Sequence, residues 1–196
     1  MVGHVCSLVA TNGGMVVAIA GEGREIPEAK HSSWVQTRAP LDCLKSSEGL
    51  QEVLLSREGP KGRELLEGLT SNVFIVRKGV IQTSGEAVLR GHIRELCLEA
   101  CKALGLELVY EPPLLSESHL WDEAFITSTS RIATSIATIH FAADMAGSKT
   151  LQSQQSASNN STRVLTLAEG EGPVTARVRL KVVEMVREGK RLTRLL

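Results

Sequence analysis

Four strand-forming runs in the middle of the chain are joined by turns so short that each run must fold back beside its neighbour. Residues 57–62 contain a Glu-Gly-Pro-Lys-Gly turn, and Lys78-Gly79 forms another tight turn. Parallel neighbours need far longer crossover connections. The runs cover residues 52–56, 64–67, 73–76 and 80–83. Since no GxGxxG motif follows a strand, we predict an α/β fold of the α+β type, with two mainly antiparallel sheet layers and flanking helices, rather than a doubly wound sheet.

The rest of the chain adds helices, further strands and one polar segment to this single predicted domain, 1–196. Apolar side chains recur with a helical period over residues 94–104, and Gly105 ends the pattern. We also predict one or two short strands within 1–20 and one or two within 132–140, single strands at 106–110 and 124–127, a short helix at 116–120 and a basic helix at 175–196. Residues 147–162 are rich in Ser, Gln and Asn, which predicts a flexible loop.

Composition excludes several classes of protein. The 22 Lys and Arg residues balance the 22 Asp and Glu residues, so the surplus of positive charge that nucleic-acid binding needs is missing. No apolar run approaches the ~18 residues that a membrane span requires, and no signal peptide is recognisable. We therefore expect a soluble intracellular protein, in the cytoplasm or an organelle, with no nucleic-acid or membrane partner.

The cysteines do not indicate a metal site. Cys97 and Cys101 lie four residues apart on the predicted helix, and no CxxC or HxxxH pattern accompanies them. Free cysteines are often small buried residues, and we interpret this pair in that way. The prediction for metals is therefore none.

Four segments carry the functional signal. They are Leu-Glu-Gly-Leu-Thr-Ser-Asn-Val-Phe-Ile-Val (66–76), Pro-Glu-Ala-Lys-His-Ser-Ser-Trp (27–34), Leu-Arg-Gly-His-Ile-Arg-Glu (89–95) and Trp-Asp-Glu-Ala-Phe-Ile-Thr-Ser-Thr-Ser-Arg (121–131). In order and approximate spacing they resemble the large domain of the class IV aminotransferases, pyridoxal 5'-phosphate (PLP) enzymes of fold type IV. That family includes branched-chain aminotransferase, D-amino acid aminotransferase and 4-amino-4-deoxychorismate lyase. The resemblance implies the fold-type-IV large domain and PLP as cofactor.

The resemblance implies a catalytic role for Lys30 and a cofactor-binding role for Glu67. Lys30 matches the lysine that forms an imine with the cofactor aldehyde and then moves the substrate α-proton. Glu67 matches the carboxylate that keeps the pyridine nitrogen of PLP protonated, which makes the ring a stronger electron sink. Without the neighbouring motifs, Glu67 reads equally well as a turn residue. Ser33 and Trp34 stand where relatives often have Asn and Tyr.

The resemblance also implies a phosphate site built from a helix N-terminus and a hydroxyl loop. Backbone N–H groups at Gly91, His92 and Ile93 would receive the cofactor phosphate, although Ile93 replaces the usual Thr and so offers no hydroxyl. Ser128 and Thr129 match the small loop that closes on the phosphate, with Thr129 as the side-chain contact. A weaker similarity, Gly-Pro-Val-Thr at 172–175, matches the start of the family's last helix.

Two functions follow from the resemblance. The first is PLP-dependent amino-group transfer between an amino acid and a 2-oxo acid, or related lyase chemistry, by a homodimer. The alternative is a catalytically silent fold-type-IV domain that dimerises or binds a metabolite. Relatives carry a small N-terminal domain of roughly a hundred residues before the lysine, where this chain has about thirty. Because that domain supplies an arginine to the phosphate, we expect weaker cofactor binding here.

Overall fold

Short turns fold the predicted strands back on one another in the computed structural model, which describes residues 13–141, 163–167 and 170–188. The helices are α1 (Ser33–Thr37), α2 (Ala39–Ser47), α3 (His92–Ala103) and α4 (Pro173–Arg187), with a 3-10 helix at Leu115–Leu120. The strands are β1 (Met15–Glu22), β2 (Glu52–Gly59), β3 (Gly62–Gly68), β4 (Asn72–Arg77), β5 (Val80–Gln82), β6 (Leu108–Val109), β7 (Glu123–Ser128), β8 (Ile132–Phe141) and β9 (Arg163–Thr166).

The strands form one sheet in the order β3-β2-β1-β8-β7-β4-β5-β6, with β9 paired to β8. A further pairing of β3 with β4, at Glu67 and Asn72, closes six of these strands into a ring. Hairpin neighbours are antiparallel, whereas β1 runs parallel to β2 and β8. The predicted α/β fold with mainly antiparallel strands and flanking helices is confirmed. The two expected layers are, however, parts of one continuous sheet, because β3 returns to β4.

Alternation along the strands divides the core between the inside and the outside of the ring. On β4, Val73 and Ile75 belong to one buried cluster together with Ile126 of β7, while Phe74 belongs to another under α3 and α4. Phe74 stacks on Phe125, its register partner in β7, with ring centroids 4.8 Å apart. This separation follows from the period of two in a β-strand. A third cluster packs α2 against β1 and β2.

Several sequence expectations can be compared with the structure. The helix predicted at 94–104 is α3, and it buries Cys97 and Cys101 as expected. The strand predicted at 106–110 is shorter, and the pattern at 132–140 is one strand, β8. Helix α4 ends at Arg187, and residues 189–196 lie outside the described residues, as does the predicted loop at 147–162. β9 has no counterpart among the predictions, since three of its four side chains are exposed and carry no apolar pattern.

In the described ranges, no helix combines the length and apolarity needed to cross a membrane. Over the same ranges, His, Cys, Asp and Glu side chains nowhere gather in a group of three that could hold a metal ion.

Candidate active site

A cavity of about 470 Å³ opens where four connections meet at one end of the ring. These connections are the segment before α1, the β3–β4 turn, the start of α3 and the β7–β8 turn. The seven site residues predicted from sequence all line this cavity: Lys30, Glu67, Gly91, His92, Ile93, Ser128 and Thr129. The structure thus brings together residues that are up to 99 positions apart, and their chemical roles stay predictions.

Glu67 is the buried acid of the cavity. Its Oε2 accepts hydrogen bonds from Asn72 Nδ2 at 3.3 Å and from the backbone N–H of Leu89 at 3.1 Å. Its Oε1 lies 2.9 Å from Nε of Arg24, and the side chain of Glu67 is only 2% exposed. Burial raises the pKa of Glu67 to about 7, although the charge of Arg24, the Leu89 N–H and Arg94 all lower it.

The oxygen Oε1 of Glu67 lacks an aligned donor. Although Arg24 Nε is close, its N–H does not point at Oε1, and neither atom has a hydrogen-bond partner among the described residues. A buried acceptor without a donor is costly, which makes this oxygen ready for an N–H group from a ligand.

Lys30, unlike the buried Glu67, is exposed to solvent, and it lies in the segment between β1 and α1. Among the residues that the structure describes, no carboxylate forms an ion pair with its amine, so the amine is available to a ligand in the cavity. Its neighbour His31 is held by a 2.6 Å contact between Nδ1 and the hydroxyl of Ser33.

Trp34, at the position where relatives often have Tyr, binds other residues of the protein through both its ring and its indole N–H. Its indole Nε1 donates to the carbonyl of Leu69 at 3.0 Å. The guanidinium of Arg24 stacks over the Trp34 ring, 4.8 Å from the centroid. Trp34 therefore lines the cavity with its ring, while its one polar hydrogen is already bound.

The start of α3 presents free backbone donors to the cavity. Gly91, the N-cap residue, has no side chain to cap the helix, and no other described side chain accepts a hydrogen bond from the first-turn N–H groups. Gly91 is required because a Cβ there would lie 2.5 Å from Oδ1 of Asn72. Asn72 also donates to the carbonyl of Leu89 at 2.7 Å, so it holds the loop before α3 beside Glu67.

The β7–β8 turn supplies hydroxyl groups to the same cavity. Thr129 is exposed, and Ser128 lies within 3.4 Å of the hydroxyl of Ser130. The turn is strained at Ile132, a β-branched residue with a φ of 52°. Arg131 lies 3.8 Å from the buried carboxylate of Glu52, which ties the turn to β2.

Sequence reasoning gave no site role to several residues of the cavity, among them Arg24, Arg94 and Thr127. Arg24 and Arg94 line it, and Thr127 has a buried hydroxyl without a partner among the described residues. Thr127 and Arg94 stand inside the quoted motifs, where their burial had no sequence signal. Arg24 lies outside these motifs, and its positive charge next to an apolar strand was the only sequence feature that distinguished it from other arginines.

Comparison with known proteins identifies the family to which the chain belongs. A family model described as amino-transferase class IV matches residues 23–139, more than half of the 196 residues. The chain is 37% identical over 68 residues to "Putative branched-chain-amino-acid aminotransferase" of Methanocaldococcus jannaschii. It is 30% identical over 105 residues to methionine aminotransferase BCAT4 of Arabidopsis thaliana. These matches cover 34% and 53% of this chain, but 24% and 29% of the two relatives.

The fold has the same relatives. Branched-chain amino acid aminotransferase from Thermobaculum terrenum, solved in its PLP form, superposes with a TM-score of 0.68 at 23% identity. The match covers 94% of this chain and 54% of that one, so this chain spans about half the length of the solved relative. At 23% identity, the structural similarity establishes a shared fold, whereas the match to the family model establishes membership of the family. The chain belongs to the amino-transferase class IV family.

Proposed function

We propose that the protein binds PLP and with it catalyses amino-group transfer between an amino acid and a 2-oxo acid. One observation carries the proposal: Lys30, whose amine has no ion-pair partner among the described residues, the buried Glu67 and the N-terminus of α3 line one cavity of about 470 Å³. A cavity of this volume accommodates a small molecule with a few well-placed polar contacts. Membership in the class IV family supports the same chemistry.

The buried oxygen of Glu67 provides a test of whether PLP fits. Bound PLP supplies an aldehyde that bonds to amines and a protonated ring that accepts the electron pair released at the substrate α-carbon. Glu67 Oε1 lacks a hydrogen-bond donor among the described residues, and a ring N–H is such a donor. The negative charge of ionised Glu67 also keeps a nearby ring nitrogen protonated.

The start of α3 and the β7–β8 turn would hold the phosphate of the cofactor. The N–H groups of His92 and Ile93 at the start of α3 carry the positive end of the helix dipole, which favours an anion. The hydroxyl of Thr129 and the backbone N–H of Ser128 close on the same group from the β7–β8 turn. Ile93 takes part through its backbone alone.

Lys30 performs the proton transfer in this proposal. Its amine has no carboxylate partner among the described residues, so it is free to bond to an aldehyde carbon and, once displaced by substrate, to accept the proton from the substrate α-carbon. Lys30 is exposed and lines the cavity, so its amine is accessible for both tasks.

The test combines binding, trapping and turnover on the full chain. We expect PLP to bind, borohydride to fix it covalently to the peptide that contains Lys30, and amino acids with 2-oxo acids to be transaminated. Lys30→Ala abolishes trapping, whereas Lys61→Ala, a control in the exposed β2–β3 turn, leaves it unchanged. Trapping at another lysine, or no PLP binding at all, would overturn the proposal.

A catalytically silent, metabolite-binding or dimerising domain is the second candidate, and two observations favour it. Ile93 cannot give the phosphate a hydroxyl, and the indole N–H of Trp34 is bound to Leu69 rather than free for a ligand. Stoichiometric PLP binding without any amino transfer would select this candidate.

We also propose that the protein acts as a homodimer. Ile26 and Val35 expose apolar side chains, at 48% and 59%, in the segment and helix that border Lys30. Such surface favours pairing with a second copy. Light scattering of the purified chain decides between monomer and dimer.

A further inference from the structure

The carboxylate of Glu67 forms a buried ion pair that the family resemblance did not identify. Arg24 Nε lies 2.9 Å from Glu67 Oε1, and the two side chains are 6% and 2% exposed. Breaking such a pair leaves an uncompensated buried charge, so neither partner is free to move away. Arg24 is therefore held beside Oε1 of Glu67, while Asn72 and the N–H of Leu89 hold Oε2.

Arg24 is itself held in place by Trp34. The indole ring lies under the guanidinium, with 4.8 Å from Arg24 Cζ to the ring centroid. Arg24 Nη2 and Trp34 Nε1 both donate to the carbonyl of Leu69, at 3.5 Å and 3.0 Å. The ring attraction and the shared carbonyl fix the guanidinium over the turn that follows Glu67.

We infer that Arg24, stacked on the ring of Trp34, is a positioning residue that holds the buried carboxylate of Glu67 in place at the cavity and favours its ionised form. The consequence for the cofactor nitrogen rests on the proposed function. The charge of Glu67 does not, because it is a property of the cofactor-free chain.

The balance of forces on Glu67 shows why Arg24 matters. The pKa of Glu67 is about 7 because burial raises it by more than the neighbouring groups lower it, and Arg24 is the largest of the influences that lower it. The Leu89 N–H and Arg94 also lower it, but Arg94 is shared with Glu95 at 2.8 Å and the carbonyl of Ser84.

The other polar groups of the cavity do not replace Arg24. Among the described residues, none of the cavity-lining groups Lys30, His31, Arg38 and His92 forms an ion pair with Glu67, and Asn72, which donates to Glu67, is neutral. Without Arg24, burial would leave Glu67 protonated at neutral pH, and a neutral carboxyl has no negative charge to hold a ring nitrogen protonated.

The experiment titrates Glu67 by ¹³C NMR of glutamate carboxyl carbons in the cofactor-free full chain, with the signal assigned by its loss in Glu67→Gln. We expect Arg24→Met to raise the titration midpoint by about one pH unit or more, and Arg24→Lys to raise it less. Trp34→Leu should raise it with Arg24 present, and Trp34→Phe, which keeps a ring, should raise it less.

Arg63→Met is the matched control. Arg63 is another largely buried arginine, 14% exposed, and it pairs with Glu22 and Glu58 away from the cavity. Its removal should leave the midpoint of Glu67 unchanged. If Arg24→Met does not fold by circular dichroism, Arg24→Lys and Trp34→Leu decide the question.

Unchanged midpoints in the folded Arg24 and Trp34 variants would overturn the inference. Failure of PLP to bind the unaltered chain would instead overturn the proposed function and leave the titration result standing, so the two failures are distinguishable.

Discussion

Helices α3 and α4 begin with nearly the same backbone geometry, but the N–H groups of their first turns have different surroundings. Gly91 and Gly172 are their N-cap residues, with φ/ψ of −65°/139° and −60°/141°. At α4 the carboxylate of Glu123 accepts hydrogen bonds from the N–H groups of Val174 and Thr175, both at 2.9 Å. At α3 no side chain in the described ranges accepts a hydrogen bond from the first-turn N–H groups, and Gly91, His92 and Ile93 line the cavity.

The difference shows at which of the two helices the protein itself supplies acceptors for the first-turn N–H groups. A buried helix N-terminus needs an acceptor, and at α4 the chain provides a negative one from β7. At α3 the acceptor is left to something that enters the cavity. An anion is the ligand that both the dipole and the free donors favour there.

Removal of Glu123 should have the largest effect on stability. Glu123→Ala leaves the N–H groups of Val174 and Thr175 and the Thr175 hydroxyl, now bound at 2.8 Å, without an acceptor in the interior. We expect the free energy of unfolding to fall by about 3–4 kcal/mol in urea denaturation. Glu123→Gln should lose about half as much, and Glu184→Ala, on the exposed face of α4, almost nothing. A loss below about 1 kcal/mol for Glu123→Ala would contradict the capping role.

Glu67, the buried glutamate on the α3 side, should make stability depend on pH. Folded Glu67 has a pKa of about 7 because of burial, against an ordinary value of 4.5 in the unfolded chain. Between these values the folded state binds more protons, so the free energy of unfolding falls as pH rises, by about 3 kcal/mol in total. Glu67→Gln should remove this decrease, whereas Glu58→Gln, 70% exposed on its side chain, should retain it. Equal slopes in urea melts of the unaltered chain and Glu67→Gln would refute the assignment.

The two N-cap glycines should give different losses when each becomes alanine. A Cβ at Gly172 would collide with the carboxylate of Glu123, so Gly172→Ala should lower the free energy of unfolding by about 1–3 kcal/mol. A Cβ at Gly91 would collide with Oδ1 of Asn72, which holds the loop beside Glu67. Gly91→Ala should therefore weaken PLP binding about tenfold with a smaller loss of stability. Urea melts and PLP titrations of both variants check this, and identical profiles would remove the distinction between the two helix starts.

Local patterns predicted α3 and the strands other than β9, because each of these elements depends on residues close together in the chain. The order of the motifs then predicted that Lys30, Glu67 and Thr129 lie close together, because short turns leave little freedom in how such strands connect. All three line one cavity. The contacts that complete the site have no local signal. Arg24 reaches Glu67 across 43 positions, and Glu123 caps a helix that begins 50 positions later. Closure of the ring likewise depends on a single β3–β4 pairing, which no periodicity encodes.

The smallest effect should come from restoring a hydroxyl at the open helix start. Ile93 lines the cavity at the second position of α3, where relatives of this motif carry Thr. At the other helix start, the hydroxyl of Thr175 donates to the carboxylate that caps α4, which shows how a first-turn hydroxyl can bind an anion. Ile93→Thr should add one hydrogen bond to a bound phosphate, about 1 kcal/mol, and tighten PLP binding roughly fivefold. Ile93→Val, which keeps the branched shape without the hydroxyl, is the control. PLP titrations in which Thr and Val bind equally would mean that the phosphate does not lie at the start of α3.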